Sequence, residues 1–469
     1  MRIRVLGQHV PASIAVLALA EGLIAFFAMY AAISIRFQTP FTHLHLLELK
    51  IGGPLWLRAG VFGLLVVVCL LAFGLYSARQ RAQLSGVLVR VVAALVVASC
   101  GIAAVFYLLP TLHLWRGVEA LAIILSGCGI ILSRLLFARL VSQEIFKRRV
   151  LVYGTGAAAV AVANLRRSAD RRGFQLVGFV QPSGEPLVVP AERLLDAHGD
   201  LRGLCERLSV TEVVVAMDDR RRGFPIRELL DCRLAGVDVT ELLTFLERET
   251  GRVRVDVLNP SWMIFGQGFR RDPLRLFSSR MLDLGASFAV LTVSLPAILL
   301  TVVAIKMEDG WRAPALYSQR RVGLGGREFN VIKFRSMRLD AEMNGAQWAQ
   351  ASDPRVTRVG AIIRKLRIDE LPQILNVLRG HMSFIGPRPE RPEFVAELAE
   401  KIPYYVQRHY VKPGITGWAQ LCYPYGSSEQ DALEKLQYDL YYIKNNSLLF
   451  DLAILVQTAE VVLMGKGAR

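Results

Sequence analysis

Four apolar stretches, at about Ile14 to Ile35, Ala59 to Tyr76, Val87 to Leu109 and Val118 to Leu140, limit what this chain can fold into more than any other feature. Each approaches the roughly 20 residues a helix needs to cross the hydrocarbon core of a bilayer. In that solvent every backbone N–H and C=O must be satisfied within the segment, so such stretches become helices. The first is too long for a secretory signal and has no convincing processing site behind it, so four transmembrane helices are expected rather than a cleaved leader.

Charge sets their orientation. Arg2 and Arg4 precede the first stretch, Arg79 and Arg81 lie between the second and third, and Lys147-Arg148-Arg149 follow the fourth. Basic loops stay in the cytoplasm, so these three regions read as cytoplasmic, although Arg36, Lys50, Arg58 and Arg116 on the other side weaken the bias. Glu21, Arg90 and Arg134 lie inside the spans, where charge is costly. Pairing within the bundle, or snorkelling from near an end, accounts for them better than a transport path.

Of the 469 residues 53% are hydrophobic, and 56 Lys and Arg against 40 Asp and Glu leave a net charge of +16. With so much apolar sequence that excess points to lipid headgroups and phosphorylated substrates. Nucleic acid would require a basic stripe with aromatics away from the membrane flanks, and none is present. The six cysteines have no C-x-x-C spacing, and Cys69, Cys100 and Cys128 fall in apolar runs, which reads as small buried hydrophobes. His43 and His45 alternate without a third metal ligand.

From Val150 the pattern changes to a buried strand followed by Gly154, Gly156 and Ala159 in the spacing G-x-G-x-x-A. Leu176 to Val180 and Glu212 to Met217 read as further parallel strands, so a small Rossmann-like α/β domain is expected to about residue 265. Gln181 stands where an acid for a ribose would be expected, and no Tyr-x-x-x-Lys pair occurs in the chain. No catalytic role is therefore expected for Gly154 and Gly156. A fifth apolar run, Leu282 to Ile305, has basic residues on both flanks: Arg270, Arg271, Arg275 and Arg280 before it, Lys306, Arg312, Arg320 and Arg321 after. Both flanks then belong on one side of the membrane. A kink at Pro296, with Ser294 satisfying a backbone group the proline frees, would let the segment enter and leave by the same face. A fifth spanning helix is the alternative.

Beyond it, Gly323 to Gly326 read as a turn before a strand over Glu328 to Phe334, with Lys333 and Arg335 at its end. The densest chemistry runs from Arg364 to Pro389. Asp369 and Glu370 follow Arg364, Lys365 and Arg367, and nearby cations keep a carboxylate ionised. Pro372 places the pair in the first turn of a helix that Gly380 stops, where backbone N–H groups favour negative charge. Arg388 sits between Pro387 and Pro389, a stiff setting for a guanidinium fork that suits phosphate. A capped helix, a Glu370–Arg367 pair and a proline-shaped turn are the bland alternative. Leu448 to Met464, broken by Asp451, Gln457 and Glu460, reads as an interfacial helix. Tyr404, Tyr405, Tyr410, Trp418, Tyr441 and Tyr442 suit either the headgroup level or an ordinary core.

Five motifs in one order carry a family resemblance: Lys333-Phe334-Arg335-Ser336-Met337, Asp353-Pro354-Arg355-Val356-Thr357, Asp369-Glu370-Leu371-Pro372-Gln373, Gly386-Pro387-Arg388-Pro389, and Lys412 through Gln420. They all fall, in one order, within about the last two hundred residues. On them the chain resembles the polyprenyl-phosphate phosphoglycosyl transferases, the monotopic sugar transferases that begin bacterial exopolysaccharide synthesis. The resemblance implies a membrane region over 1–145, a regulatory or dimer-supporting Rossmann-like domain over 146–265, and a mixed, mainly helical catalytic domain over 266–469 anchored by a re-entrant helix. It implies a bacterial inner membrane protein with its catalytic domain on the cytoplasmic face, and a possible homodimer.

The implied reaction moves a hexose 1-phosphate from a UDP-sugar to undecaprenyl phosphate and releases UMP. Asp369 would be the nucleophile and Glu370 a Mg2+ ligand. Arg388, Arg364 and Arg367 would clamp phosphate, with Lys333 and Arg335 beside them. The family usually has Ser directly before Pro in its membrane helix, whereas Leu295 intervenes here; a Gly-Arg-Asn after Gln420 is replaced by Cys422 to Gly426. Two other readings remain: a non-catalytic scaffold or sensor of polysaccharide assembly, and a nucleotide-sugar oxidoreductase, which lacks its tyrosine-lysine pair.

Overall fold

The computed structural model describes residues 2–5, 8–40, 54–76, 84–109, 115–141, 147–165, 173–197, 199–219, 221, 223–258, 272–338, 341, 353–423, 426 and 428–463. His43, His45, Lys50, Arg79, Arg81, Arg270, Arg271 and the middle of the loop after Cys422 lie outside the described residues. The chain forms two compact units, Met1–Thr240 and Glu241–Arg469.

In the first unit a short hairpin of β1 (Arg2–Val5) and β2 (Gln8–Pro11) precedes α1 (Ala12–Phe37), α2 (Leu55–Ala72), α3 (Leu84–Leu108) and α4 (Arg116–Val141). All four helices are long and apolar enough to cross a membrane. Small residues let them approach closely, and a Cβ on Gly63 would lie 3.1 Å from the Gly22 carbonyl oxygen. Met29, Ile33, Phe62, Leu70 and Ile102 fill the interior, while Val16, Leu19, Leu64, Val96 and Leu132 face outward, as in a bundle solvated by lipid. Cys100 and Cys128 belong to the outer face rather than to a buried core.

Glu21 and Arg134, two of the intramembrane charges expected to pair, do so with each other. Arg134 donates to Glu21 at 2.8 Å and to the Leu75 carbonyl at 3.1 Å, and the Tyr76 hydroxyl donates to Glu21 at 2.5 Å. Glu21 is completely buried, so its charge depends on these donors.

A five-stranded sheet follows in the order β5-β4-β3-β6-β7, with β3 (Arg148–Tyr153), β4 (Phe174–Val180), β5 (Leu194–Leu195), β6 (Glu212–Val215) and β7 (Asp238–Glu241). β3 lies parallel to both β4 and β6, so the order reverses at β3 as in a doubly wound fold. Its helices are α5 (Ala157–Ala163), α6 (Leu201–Arg207) and α7 (Ile226–Leu234). Gly154, at φ 138°, brings the turn after β3 against Ala216, where a Cβ would meet the carbonyl oxygen at 2.2 Å. The amides beyond it are already taken: Asp218 accepts from Ala157 and Ala158 at 2.8 and 2.7 Å, and Glu185 accepts from Thr155 at 2.8 Å. The chain's own carboxylates thus fill the position where such turns hold a ligand phosphate.

The second unit opens with α8 (Leu242–Thr250) and continues into α9 (Pro273–Asp309), a 37-residue helix about 55 Å long by its rise per residue. α9 runs without a break through Pro296 and is also apolar enough to cross a membrane. The Ser294 hydroxyl donates to the Val290 carbonyl at 2.6 Å, one turn back. Then come the antiparallel pair β8 (Leu316–Val322) and β9 (Glu328–Phe334), joined at Gly323–Gly326 as the glycines suggest. α10 (Arg358–Lys365), a 3-10 turn over Ile368–Gln373, α11 (Ile374–Leu378), β10 (Ser383–Ile385), α12 (Pro392–Lys401), β11 (Gly414–Thr416), α13 (Trp418–Cys422), α14 (Glu429–Asn445) and α15 (Leu448–Leu463) complete it. Tyr405, Trp418 and Tyr442 are buried in this unit's core, and Tyr410 is exposed. Asp451 is buried as well and pairs with Arg275 of α9 at 2.5 Å.

Replacing Glu21 with Leu should lower the stability of the membrane bundle by about 3 kcal/mol, because Arg134 is left buried without its counter-ion. The double variant Glu21→Leu/Arg134→Met should recover most of that loss. Unfolding by SDS in mixed micelles checks both.

Candidate active site

The two acids occupy the first turn of the 3-10 segment that runs into α11, with Pro372 inside it and Gly380, at φ 80°, beyond its end. Arg367 caps the segment in the left-handed region at φ 60°, an uncommon conformation for a residue with a Cβ. Successive residues of a tight turn point apart, and here that separates the acids. Glu370 Oε1 accepts from Arg388 at 2.8 Å and lies 3.8 Å from Arg367 and 3.9 Å from the Lys333 ammonium. Asp369 keeps a buried Oδ1 that has no hydrogen-bond partner.

The electrostatics follow from that division. Burial would push the Glu370 carboxyl up, but Arg388, Lys333 and Arg367 outweigh it and hold the group at about 2. Asp369 moves the other way, raised by burial first and by the Glu370 charge second, with the cations only partly offsetting them. Burial also brings the Lys333 ammonium down to about 8, against the pull of Glu370. The sequence suggested that cations keep the pair ionised; they do so for Glu370, while Asp369 is the desolvated, unpartnered member.

Each cation has a separate support. Lys333 is set by β9, whose free edge is paired by a side chain: Asn376 Oδ1 accepts the Ile332 N–H at 3.0 Å and its Nδ2 donates to the Asn330 carbonyl at 2.7 Å. Arg388 is set by two backbones in close parallel approach. Gly386 N donates to Thr416 O and Gly414 N to Pro387 O, each at 2.9 Å. A Cβ on Gly386 would fall 2.3 Å from the Lys412 oxygen, and one on Gly414 would fall 2.1 Å from the Gly386 nitrogen, so only glycine fits either place. Pro387 and Pro389 are buried, and Pro389 accepts from Arg321 at 3.1 Å. Arg408 donates to the Arg388 carbonyl at 3.0 Å and to Asp439 at 2.9 Å.

A small, half-open cleft lies here, lined by Arg321, Val331, Lys333, Gln373, Arg388, Pro389 and Gly414. Three of those seven are cations, so the space suits an anion.

Of the residues singled out in the sequence, the structure gathers Asp369, Glu370, Lys333, Arg367, Arg388, Pro387 and Pro389. Arg335 turns away and pairs with Asp309 at the end of α9, at 2.7 Å. Arg364, half-buried in the last turn of α10, acts on Asp353. The Asp353-Pro354-Arg355 motif is a local turn, in which bonds from Arg355 hold the Asp353 carboxyl at about 2. Ser294 and Pro296 belong to α9.

Arg321, Gln373 and Asn376 escape a reading of the sequence. Arg321 looks like a membrane-flanking charge, and Gln373 like the ordinary end of a motif. Asn376 had a signal: an amide inside the apolar run Ile374 to Leu378 must find buried partners. Among the described residues no three His, Cys, Asp or Glu side chains come together as a metal cluster. A carboxylate beside a cationic cleft could hold Mg2+, which commonly takes one or two carboxylates and completes its shell with substrate phosphates and water.

Asn376→Ala should cost about 1–2 kcal/mol, since it removes the partners of the half-buried Ile332 N–H and of the Asn330 C=O. Chemical denaturation of the full chain checks this.

Residues 274–465 match the family model described as bacterial sugar transferase. A UDP-N-acetylgalactosamine-undecaprenyl-phosphate N-acetylgalactosaminephosphotransferase from Aeromonas hydrophila is 44% identical over 252 residues, 54% of this chain and 58% of that protein. An undecaprenyl-phosphate glucose phosphotransferase from Komagataeibacter xylinus is 34% identical over 68% of this chain and 60% of its own length. A UDP-glucose:undecaprenyl-phosphate glucose-1-phosphate transferase from Xanthomonas campestris pv. campestris is 33% identical over 70% of this chain and 69% of its own length. The chain thus spans 58% and 60% of the first two relatives.

Proposed function

The chain belongs to the bacterial sugar transferases, and from that premise we propose that it transfers a sugar 1-phosphate from a UDP-sugar to a polyprenyl phosphate, undecaprenyl phosphate in the bacterial inner membrane, and releases UMP. The observation that carries the proposal is the split acid pair: Glu370 committed to three cations, and Asp369 half-buried beside it with one buried oxygen that has no hydrogen-bond partner.

In this reading the ionised Asp369 oxygen attacks the sugar-bearing phosphorus of the UDP-sugar. A carboxylate–phosphorus bond forms, the anhydride P–O bond breaks, and UMP leaves with the electron pair. The phosphate oxygen of the lipid then attacks the same phosphorus, which frees the carboxylate and yields a polyprenyl diphosphate sugar. Burial raises the basicity of Asp369 and strips its water, and both favour attack. Arg388 and Lys333 face the phosphate oxygens, with Arg321 and Arg367 adding positive charge around them. Glu370 holds these cations in place and, with the substrate phosphates, would hold Mg2+, which neutralises phosphate charge when bound. Arg335 and Arg364 support the fold around the site in this reading.

The functional division we propose is a membrane region over 1–145, an α/β domain over 146–265 that supports a dimer or regulation, and a transferase domain over 266–469 on the cytoplasmic face. α9 would anchor that domain through its apolar part, and a re-entrant path would require this continuous helix to bend at Ser294 and Pro296 in the bilayer. The pathway would be exopolysaccharide or related glycan synthesis, and relatives that use UDP-glucose and UDP-N-acetylgalactosamine make those the first donors to try.

Lipid-embedded protein given Mg2+, undecaprenyl phosphate and a panel of UDP-sugars should release UMP with one donor, and Asp369→Asn should lower that by at least about a thousandfold. Folded protein that releases no UMP with any donor would favour a non-catalytic scaffold, and equal turnover by Asp369→Asn would remove the nucleophile. A second expectation concerns pH. Lys333 loses its proton, and the site a cation, as pH rises through about 8, so kcat/KM should fall along that limb. Lys333→Arg, which stays charged, should move the limb upward; a limb unchanged by the substitution would contradict the role.

A further inference from the structure

Arg280 and Asp283 lie three residues apart in α9, on one face of the helix and at the start of its apolar part. Neither touches the acid pair or lines the cleft, yet each grips a different arm of the site. Arg280 donates to the carbonyl oxygens of Val377 and Leu378 at 2.6 and 2.7 Å. Those carbonyls end α11, the helix that continues from the turn carrying Asp369 and Glu370. Asp283 Oδ1 accepts from Ser383 Oγ and from Phe384 N, both at 2.8 Å. These two donors belong to β10, which runs directly into Gly386-Pro387-Arg388.

The chemistry of these bonds is not that of ordinary helix packing. Asp283 is 3% exposed, and a carboxylate so buried is costly unless its oxygens are satisfied. It lies well inside α9, so it caps nothing in its own helix. Its charge is used on a strand a hundred residues away in sequence. Arg280 likewise caps the open carbonyls of another helix, where a cation also suits the dipole.

Resting on the transferase reading above, we infer that Arg280 and Asp283 are positioning residues that register both arms of the active site on one turn of the membrane helix. Arg280 sets the arm with Asp369 and Glu370. Asp283 sets the arm with Arg388. The 2.8 Å Glu370–Arg388 contact closes the loop between them, so a shift of either arm along α9 reaches the phosphate-binding groups. The seating of α9 in the bilayer and the geometry of the site are then one mechanical unit.

The test uses the full chain in lipid nanodiscs with UDP-glucose and UDP-N-acetylgalactosamine as donors. Asp283→Ala should raise the donor KM by roughly fivefold or more, because ground-state phosphate contacts by Arg388 loosen. Asp283→Asn keeps an acceptor oxygen and should stay within about twofold of the parent. In an Arg388→Lys background the same Asp283→Ala change should add less than about twofold, since coupled residues are non-additive. A fall in kcat alone, which is what loss of folded molecules gives, or an equal fold-loss in both backgrounds, would overturn the inference.

Hydrogen exchange at the Ile385 and Gly386 amides gives a readout that needs no turnover. Faster exchange in Asp283→Ala, with Asp283→Asn like the parent, is expected; unchanged exchange in Asp283→Ala would overturn the coupling. Parent protein that turns over neither donor while exchange still responds would count against the transferase reading and leave the coupling standing.

Discussion

The site in the second unit is built around one nearly buried carboxylate, Glu370. Glu370 is enclosed, and a lone charge there would neutralise rather than persist. It persists because Lys333, Arg367 and Arg388 reach it from three separate segments. Three cations on one acid leave an excess of positive charge at the mouth of the cleft. In the proposed reaction phosphate oxygens would answer that excess, and Asp369 stands beside these cations with a buried oxygen that has no hydrogen-bond partner.

The supports behind these groups explain why so little of the motif sequence is chemical. Gly386 and Gly414 are there so that two backbones can touch, and Asn376 is there because β9 has a free edge next to Lys333. Arg408 and Asp439 form a buried pair under the Arg388 carbonyl. α9 adds the links through Arg280 and Asp283, and a further tie from Arg275 to Asp451. A helix about 55 Å long is nearly twice the thickness of a bilayer core, and its first turns serve this scaffold while the apolar remainder suits lipid.

Wherever a signal was local, the sequence was legible. The apolar stretches became α1 to α4, the glycines at 323–326 became a turn, Glu328 to Phe334 became β9, and Pro372 placed the acids at the start of a helical segment. The buried strands after Val150 became a parallel sheet. What stayed hidden was long-range pairing. Nothing near Glu370 in sequence shows that its shortest contact is Arg388 rather than Arg367, or that Lys333 and Arg335 part company to face Glu370 and Asp309. Asp451 reads as a polar break in an apolar helix, yet it is buried in an ion pair with a residue far upstream. Arg321 is indistinguishable from a flanking charge until the fold brings it to the cleft.

The central claim is that Asp369 is the covalent nucleophile. Intact-protein mass spectrometry after incubation with the donor sugar nucleotide and Mg2+, but with no lipid acceptor, tests it most directly. The account predicts a mass gain of one sugar phosphate, located by peptide mapping to Asp369 and discharged when polyprenyl phosphate is added. A protein that makes product with lipid present yet never carries that mass, or carries it on another residue, would contradict the account.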